Sequence, residues 1–251
     1  MKKYIPDCVT LLNLVCGTCA CIIAMWGHWF AAFLFILGAA AADFLDGFCA
    51  RLLKAASPLG KQLDSLCDLV SFGLAPALMM FNWQMTFSTG SNALAYFAFV
   101  YVCCAALRLA RFNIDESQKV DFKGLAVPAG AMVVAPLLAY GEVCATRGFD
   151  SFLVTMLNSG WFLPVLSVVL GGLMVSRINM FSLKGKRISF KDFPRETVHL
   201  AGVLLLACPL AITKGALLGV GFFYAAFPLM LLFTFVLYIL INLAAIGAHR
   251  S

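Results

Sequence analysis

Apolar positions run along this chain in long blocks, broken by short polar or turn-forming stretches. Helices are predicted at about 7–26, 29–53, 60–81, 91–113, 125–145, 151–176, 196–213 and 217–247. Most of these blocks are long enough to cross the roughly 30 Å hydrocarbon core of a bilayer. The expected fold is therefore all-α: a polytopic membrane helix bundle of about eight transmembrane helices, forming a single domain over residues 1–251. The last block is long for one crossing, so it is expected to tilt or to extend past the bilayer.

Two of these apolar blocks carry acidic residues. Asp43-Phe-Leu-Asp46-Gly47-Phe-Cys-Ala50-Arg51 lies in the second, and Gly60-Lys-Gln-Leu-Asp64-Ser-Leu-Cys-Asp68 opens the third. At about 100° per residue, Asp43, Asp46, Gly47 and Ala50 share one helix face, and Gly60, Asp64 and Asp68 stack along another. An unpaired Asp near a bilayer centre costs about 2.5–3.5 kcal/mol on the insertion scale, and four carboxylates repel one another. A divalent cation is the natural compensation, and hard oxygen ligands suit Mg²⁺ or Mn²⁺, as one ion or two. Asp43, Asp46, Asp64 and Asp68 are the candidate ligands. Gly47, Ala50 and Gly60 leave room for a nucleotide or an opposing backbone, and Arg51 is suited to phosphate oxygens. These residues by themselves imply metal-assisted phosphoryl chemistry.

The spacing D-x2-D-G-x2-A-R-x8-G-x3-D-x3-D is met at every position, and it resembles the signature of the CDP-alcohol phosphatidyltransferases. That resemblance implies an integral membrane enzyme that moves a phosphatidyl group from a CDP-lipid to an alcohol and releases CMP. It also implies that Asp68, the fourth aspartate, is the general base. The run Leu107-Arg108-Leu-Ala-Arg111-Phe112-Asn113, the Phe122-x-Gly124-Leu125-x-x-Pro128 turn and Leu173-Met174-Val175-Ser176-Arg177 look like the serine-specific subgroup of that family. So does the Ile5-Pro6-x3-Thr10-x2-Asn13-Leu14 start. The reaction then expected is CDP-diacylglycerol plus L-serine giving phosphatidylserine and CMP. The same chemistry with glycerol 3-phosphate or inositol phosphate is the alternative, and an ion-handling membrane protein is the remote one. The chain departs from the pattern at Asp7, where related proteins carry Asn, and at Ala126, where Pro is expected.

Three other groups are candidates. Thr10, Asn13 and Gly17 share a face of the first helix, suited either to interhelical hydrogen bonding or to lining the CDP-lipid pocket. Arg108 and Arg111 share a face at the end of the fourth helix. They either snorkel to headgroups or bind the acceptor or a phosphate. In the basic stretch from Lys184 to Arg195, Lys184 or Arg187 either touches anionic lipid or reaches the phosphate region.

Charge orients the bundle. Of the 18 Lys and Arg residues, only Arg147 and Lys214 fall on the outer side if the chain starts inside and crosses eight times. Both termini and the aspartate motif are then cytoplasmic, at the inner (cell) membrane. No A-x-A-like cleavage site follows the first apolar run, so that run is expected to remain as an anchor. The net charge of +6 follows membrane topology and does not indicate a nucleic-acid partner. The 10 cysteines lie mostly within apolar blocks, as small packing residues. Glu142, Arg147 and Asp150 are expected in an external loop facing water. The small and aromatic residues of the last two blocks suit membrane lipid or a homodimer interface.

Overall fold

The computed structural model describes residues 5–53, 57–88, 91–114, 122–148, 151–176, 178–180 and 220–248. These form α1 (Ile5–Met25), α2 (Trp29–Leu52), α3 (Pro58–Asp68), a π-helical turn (Leu69–Leu74) and α4 (Ala75–Phe87). A 3-10 turn (Asn92–Phe97) leads into α5 (Ala98–Ile114). Then come α6 (Val127–Arg147), α7 (Phe152–Asn158), α8 (Phe162–Val175) and α9 (Val220–Ala248). Two short strands, β1 (Phe122–Lys123) and β2 (Asn179–Met180), pair antiparallel, Phe122 opposite Met180.

Among the described residues, six helical stretches are long and apolar enough to cross a membrane, or seven if the bent pair α7–α8 is one span. The predicted helix 196–213 lies outside the described residues, as do Lys54, Arg177, Lys184, Lys186, Arg187 and Lys214.

α6 is the centre of the bundle. Val127, Ala131, Val134, Ala135, Leu138 and Ala139 are all buried, as is the rest of its circumference over most of its length, the signature of a helix enclosed by others. Small residues allow the close approach. A Cβ on Gly141 would lie 2.6 Å from the Trp83 ring, and one on Gly130 would lie 2.5 Å from Met174 Cε. α1 and α2 form an antiparallel pair joined through Gly27, whose φ is +80°, a conformation open to glycine. Ala20 and Ala24 of α1 and Ala32, Ile36 and Ala39 of α2 are buried. Gly17 brings α1 against the π-helical turn, where an added Cβ would sit 2.7 Å from Ser71 Cα. At the other end Trp29 and Trp83 meet edge to face, ring centroids 4.8 Å apart, and Trp29 Nε1 donates to Met79 O at 3.2 Å.

Two expectations are corrected. The predicted helix 151–176 is two helices, bent by 89°. Ser159 takes an extended backbone and ends α7, while the Gly160 carbonyl leaves the helical ladder to accept from Gln84 Nε2 at 2.8 Å. Glu142 is not in a water-facing loop. It lies within α6, half-buried, and accepts a hydrogen bond from the Phe30 N–H. His28 provides no side-chain cap for α2, and Glu142 takes one of the N–H groups that a helix start leaves unpaired.

Candidate functional site at the α1–α2–α3 end

The acidic site forms where α2 ends and α3 begins. Ser57 caps α3, its Oγ accepting from Gly60 N at 2.9 Å, with Pro58 in the first turn. This start sets the phase of α3, so that Asp64 and Asp68 fall on the face turned to α2. One carboxylate oxygen each from Asp43, Asp64 and Asp68 come together, all within 4.8 Å of one another. Oxygens around one hard divalent cation, at about 2.0–2.6 Å from it, lie at most roughly 4–5 Å apart. The three carboxylates therefore fit such an ion in both chemistry and spacing. Asp46 is outside this tight group. It is buried at 6% exposure and lines the neighbouring cleft.

That cleft measures about 230 Å³ and is lined by Thr10, Asp46, Gly47, Ala50, Gly60 and Asp64, with Pro6, Asp7, Ser57 and Lys61 completing it. Gly47 faces open space, since an added Cβ would meet nothing within 4 Å. At Gly60 the Cβ would lie 3.0 Å from Asp7 Oδ1 and 3.1 Å from Ser57 Oγ. The two glycines therefore do different things: Gly47 leaves the cleft wide, and Gly60 lets α1 and the α3 cap close up.

The first-helix residues divide. Thr10 is buried on the cleft wall with its hydroxyl donating to Pro6 O at 3.0 Å. Asn13, fully buried, points instead at the aspartates: Asn13 Nδ2 donates to Asp68 Oδ1 at 3.2 Å, and Ser71 Oγ donates to Asn13 O at 3.0 Å. Gly17 permits the contact with Ser71 and so serves packing.

The two α5 arginines also separate. Arg108 is buried at 9% exposure, with Asp68 and Tyr238 the ionisable groups acting on it. Arg111 is exposed, and its Nη1 donates to Val175 O at the end of α8, 3.1 Å away. Arg51 is exposed at the end of α2 and is not among the residues lining the cleft.

Sequence reasoning passed over Lys61, Ser57 and Tyr238. Lys61 lines the cleft and donates to Asn113 O at 3.1 Å, while Asn113 Nδ2 reaches Ser65 Oγ at 2.9 Å. The Ser57-Pro58 capping signature was available as a signal for the first two. Nothing local marks Tyr238, whose place depends on α9 returning to the bundle.

A CDP-diacylglycerol–serine O-phosphatidyltransferase of Bacillus subtilis is 35% identical over 147 residues, 58% of this chain and 82% of that protein. One of the same name from Methanocaldococcus jannaschii is 33% identical over 174 residues, 69% of this chain and 72% of that protein. An archaetidylserine synthase of Methanothermobacter thermautotrophicus is 31% identical over 160 residues, 62% of this chain and 67% of that protein. The CDP-alcohol phosphatidyltransferase family pattern matches residues 3–173, a stretch that takes in both aspartate helices, the capped start of α3 and the cleft between them. By that match the chain belongs to the CDP-alcohol phosphatidyltransferase family.

Proposed function

We propose that this protein transfers the phosphatidyl group of CDP-diacylglycerol to the hydroxyl of L-serine, giving phosphatidylserine and CMP. The observation that carries the reading is the convergence of Asp43, Asp64 and Asp68 beside a cleft lined by Gly47 and Gly60. The names of the similar proteins support the acceptor: two use serine by name, and the third makes a serine lipid.

The cleft is too small for a whole CDP-lipid, so it takes the nucleotide head. Thr10, Gly47, Ala50 and Gly60 shape it, and Lys61 offers a positive charge to phosphate. Phe44, Leu45 and Phe48 of α2 are exposed and provide an apolar surface for the acyl chains. Asp43, Asp64 and Asp68, with Asp46 next to them, would hold Mg²⁺ or Mn²⁺. When bound there, such an ion would supply positive charge to offset that of the pyrophosphate and of the departing CMP. Asp68 takes the proton of the serine hydroxyl as its oxygen attacks the lipid-bearing phosphorus. The bond from that phosphorus to the bridging oxygen breaks, and CMP leaves with the electron pair. Asn13 holds the Asp68 carboxylate in orientation through the bond from its amide.

The distribution of basic residues supports eight crossings, with both termini and the site at the cytoplasmic side of the cell membrane. There a soluble amino acid and a membrane lipid can both arrive.

The test is CMP release by the purified protein in detergent, with Mg²⁺ or Mn²⁺ present. Serine, glycerol 3-phosphate and inositol phosphate are supplied one at a time. Release with serine alone is the expected result. Release with a phosphorylated acceptor alone would retain the chemistry and retire serine. No release with any acceptor, despite metal binding, would favour an ion-handling role.

A further inference from the structure

Arg108 poses a physical problem. A guanidinium buried to 9% exposure should have acceptors for its donors, yet Arg108 Nε has no hydrogen-bond partner among the described residues. Its position is specific. It comes from α5, is not among the residues that line the nucleotide cleft, and is acted on by the Asp68 carboxylate on one hand and the Tyr238 hydroxyl on the other. Tyr238 is itself buried at 5% exposure, and Asn242, one turn further along α9, is buried at 1% with its amide donating to Tyr238 O at 2.8 Å. α9 lies beyond residue 173, where the family pattern ends. Arg108 and Tyr238 are thus two buried polar groups, the second supplied by a helix outside the family match.

We propose that Arg108 and Tyr238 bind the carboxylate of the acceptor amino acid, so that α9 helps to set acceptor specificity. The inference rests on the serine-transfer reading above. A carboxylate provides the acceptor that Arg108 Nε lacks, and guanidinium–carboxylate pairing is strong and directional. The tyrosine hydroxyl adds a neutral donor to the same anion. With its carboxylate at Arg108, an amino alcohol can present its hydroxyl to Asp68, the other group acting on that arginine. Arg111 cannot share the task from the exposed surface, where it is bonded to Val175 O.

The experiment compares L-serine with L-serinamide, the same alcohol without the anionic group, in wild type, Arg108→Gln, Arg108→Lys and Tyr238→Phe. Arg108→Gln should raise the serine KM by about 10- to 100-fold, the range for losing a charged hydrogen bond, with the CDP-diacylglycerol KM little changed. Its preference for serine over serinamide should collapse by a similar factor. Tyr238→Phe should reduce that preference by about 3- to 10-fold, the worth of one hydrogen bond. Arg108→Lys should recover part of it. A matched rise in both KM values would assign Arg108 to the lipid phosphate and overturn the proposal. So would an unchanged serine-to-serinamide preference in Tyr238→Phe and Arg108→Lys, which decide the matter if Arg108→Gln does not fold. Absence of serine-dependent CMP release in wild type would overturn the reaction and this site together, whereas unchanged preference in the variants overturns this site alone.

Discussion

Asn13 and Asp68, 55 residues apart in sequence, meet in a buried hydrogen bond, Asn13 Nδ2 to Asp68 Oδ1 at 3.2 Å. The amide fixes one oxygen of a carboxylate that has Asp43 and Asp64 for neighbours. Asp68→Asn should lower turnover by about 10²–10⁴-fold, the usual contribution of a positioned base, while CDP-lipid binding persists. Asn13→Ala should cost about tenfold in turnover, for one hydrogen bond to a charged group. Turnover at saturating substrate, set beside equilibrium binding of the CDP-lipid, checks both. Near-normal turnover in Asp68→Asn would remove it as the base.

The carboxylates should not be equivalent toward metal. Asp43→Asn and Asp64→Asn should weaken Mn²⁺ binding, read by electron paramagnetic resonance, by at least about tenfold, as each removes a hard ligand. Asp46→Asn should weaken it less and raise the CDP-lipid KM more, because Asp46 lies on the cleft outside the group of three. Chelation should abolish CMP release, and Mg²⁺ or Mn²⁺ should restore it. Equal metal-binding losses at all three positions would return Asp46 to the ligand set.

The two cleft glycines should fail in different ways. Gly47→Ala meets no atom within 4 Å and removes a helix-interior glycine, so its melting temperature should match or exceed wild type while the CDP-lipid KM rises several-fold. Gly60→Ala presses on Ser57 Oγ and Asp7 and disturbs a helix cap worth about 1 kcal/mol. It should lower the melting temperature by a few degrees as well as raising KM. Thermal unfolding in detergent separates the two, and identical profiles would refute the distinction.

Glu142 should act on stability from the opposite end of α2. Glu142→Ala leaves the Phe30 N–H without its carboxylate, a loss of about 1–3 kcal/mol for a hydrogen bond to a charged group. Glu142→Gln keeps an acceptor and should lose less. Melting temperature is the readout, with the KM values of folded protein expected to stay constant. A shift in KM without a shift in melting would assign Glu142 a different task.

The acidic residues were legible because the faces they share follow from helical periodicity, although their convergence, which leaves Asp46 outside the group of three, depends on how α2 meets α3. Asp43 and Asp46, then Asp64 and Asp68, recur at spacings that put carboxylates on one face, and apolar neighbours exclude a solvated surface. What escaped depends on tertiary position. Arg108 and Arg111 sit three apart on one helix, and nothing local says that the first is enclosed beside Asp68 while the second reaches α8. Glu142 looks like a loop residue until α2 is seen to begin beside it. The bend at Ser159–Trp161 lies between two apolar runs, and its cause, the pairing of the Gly160 carbonyl with Gln84, is remote in sequence. Thr10 and Asn13 were seen as one face, but only packing separates a cleft wall from a partner of Asp68.

The stretch Pro58–Phe87 runs for 30 residues, about 45 Å of helix against roughly 30 Å of hydrocarbon. It cannot be wholly immersed, and its charged end, with Lys61 and Asp64, is the end that emerges. On the proposed reaction, the site on that end therefore works at a phase boundary. One substrate is counted per area of membrane and the other per volume of water. Rates should accordingly follow the mole fraction of CDP-lipid in the micelle or bilayer, and diluting the surface with inert detergent should slow the reaction even when the total lipid concentration is unchanged.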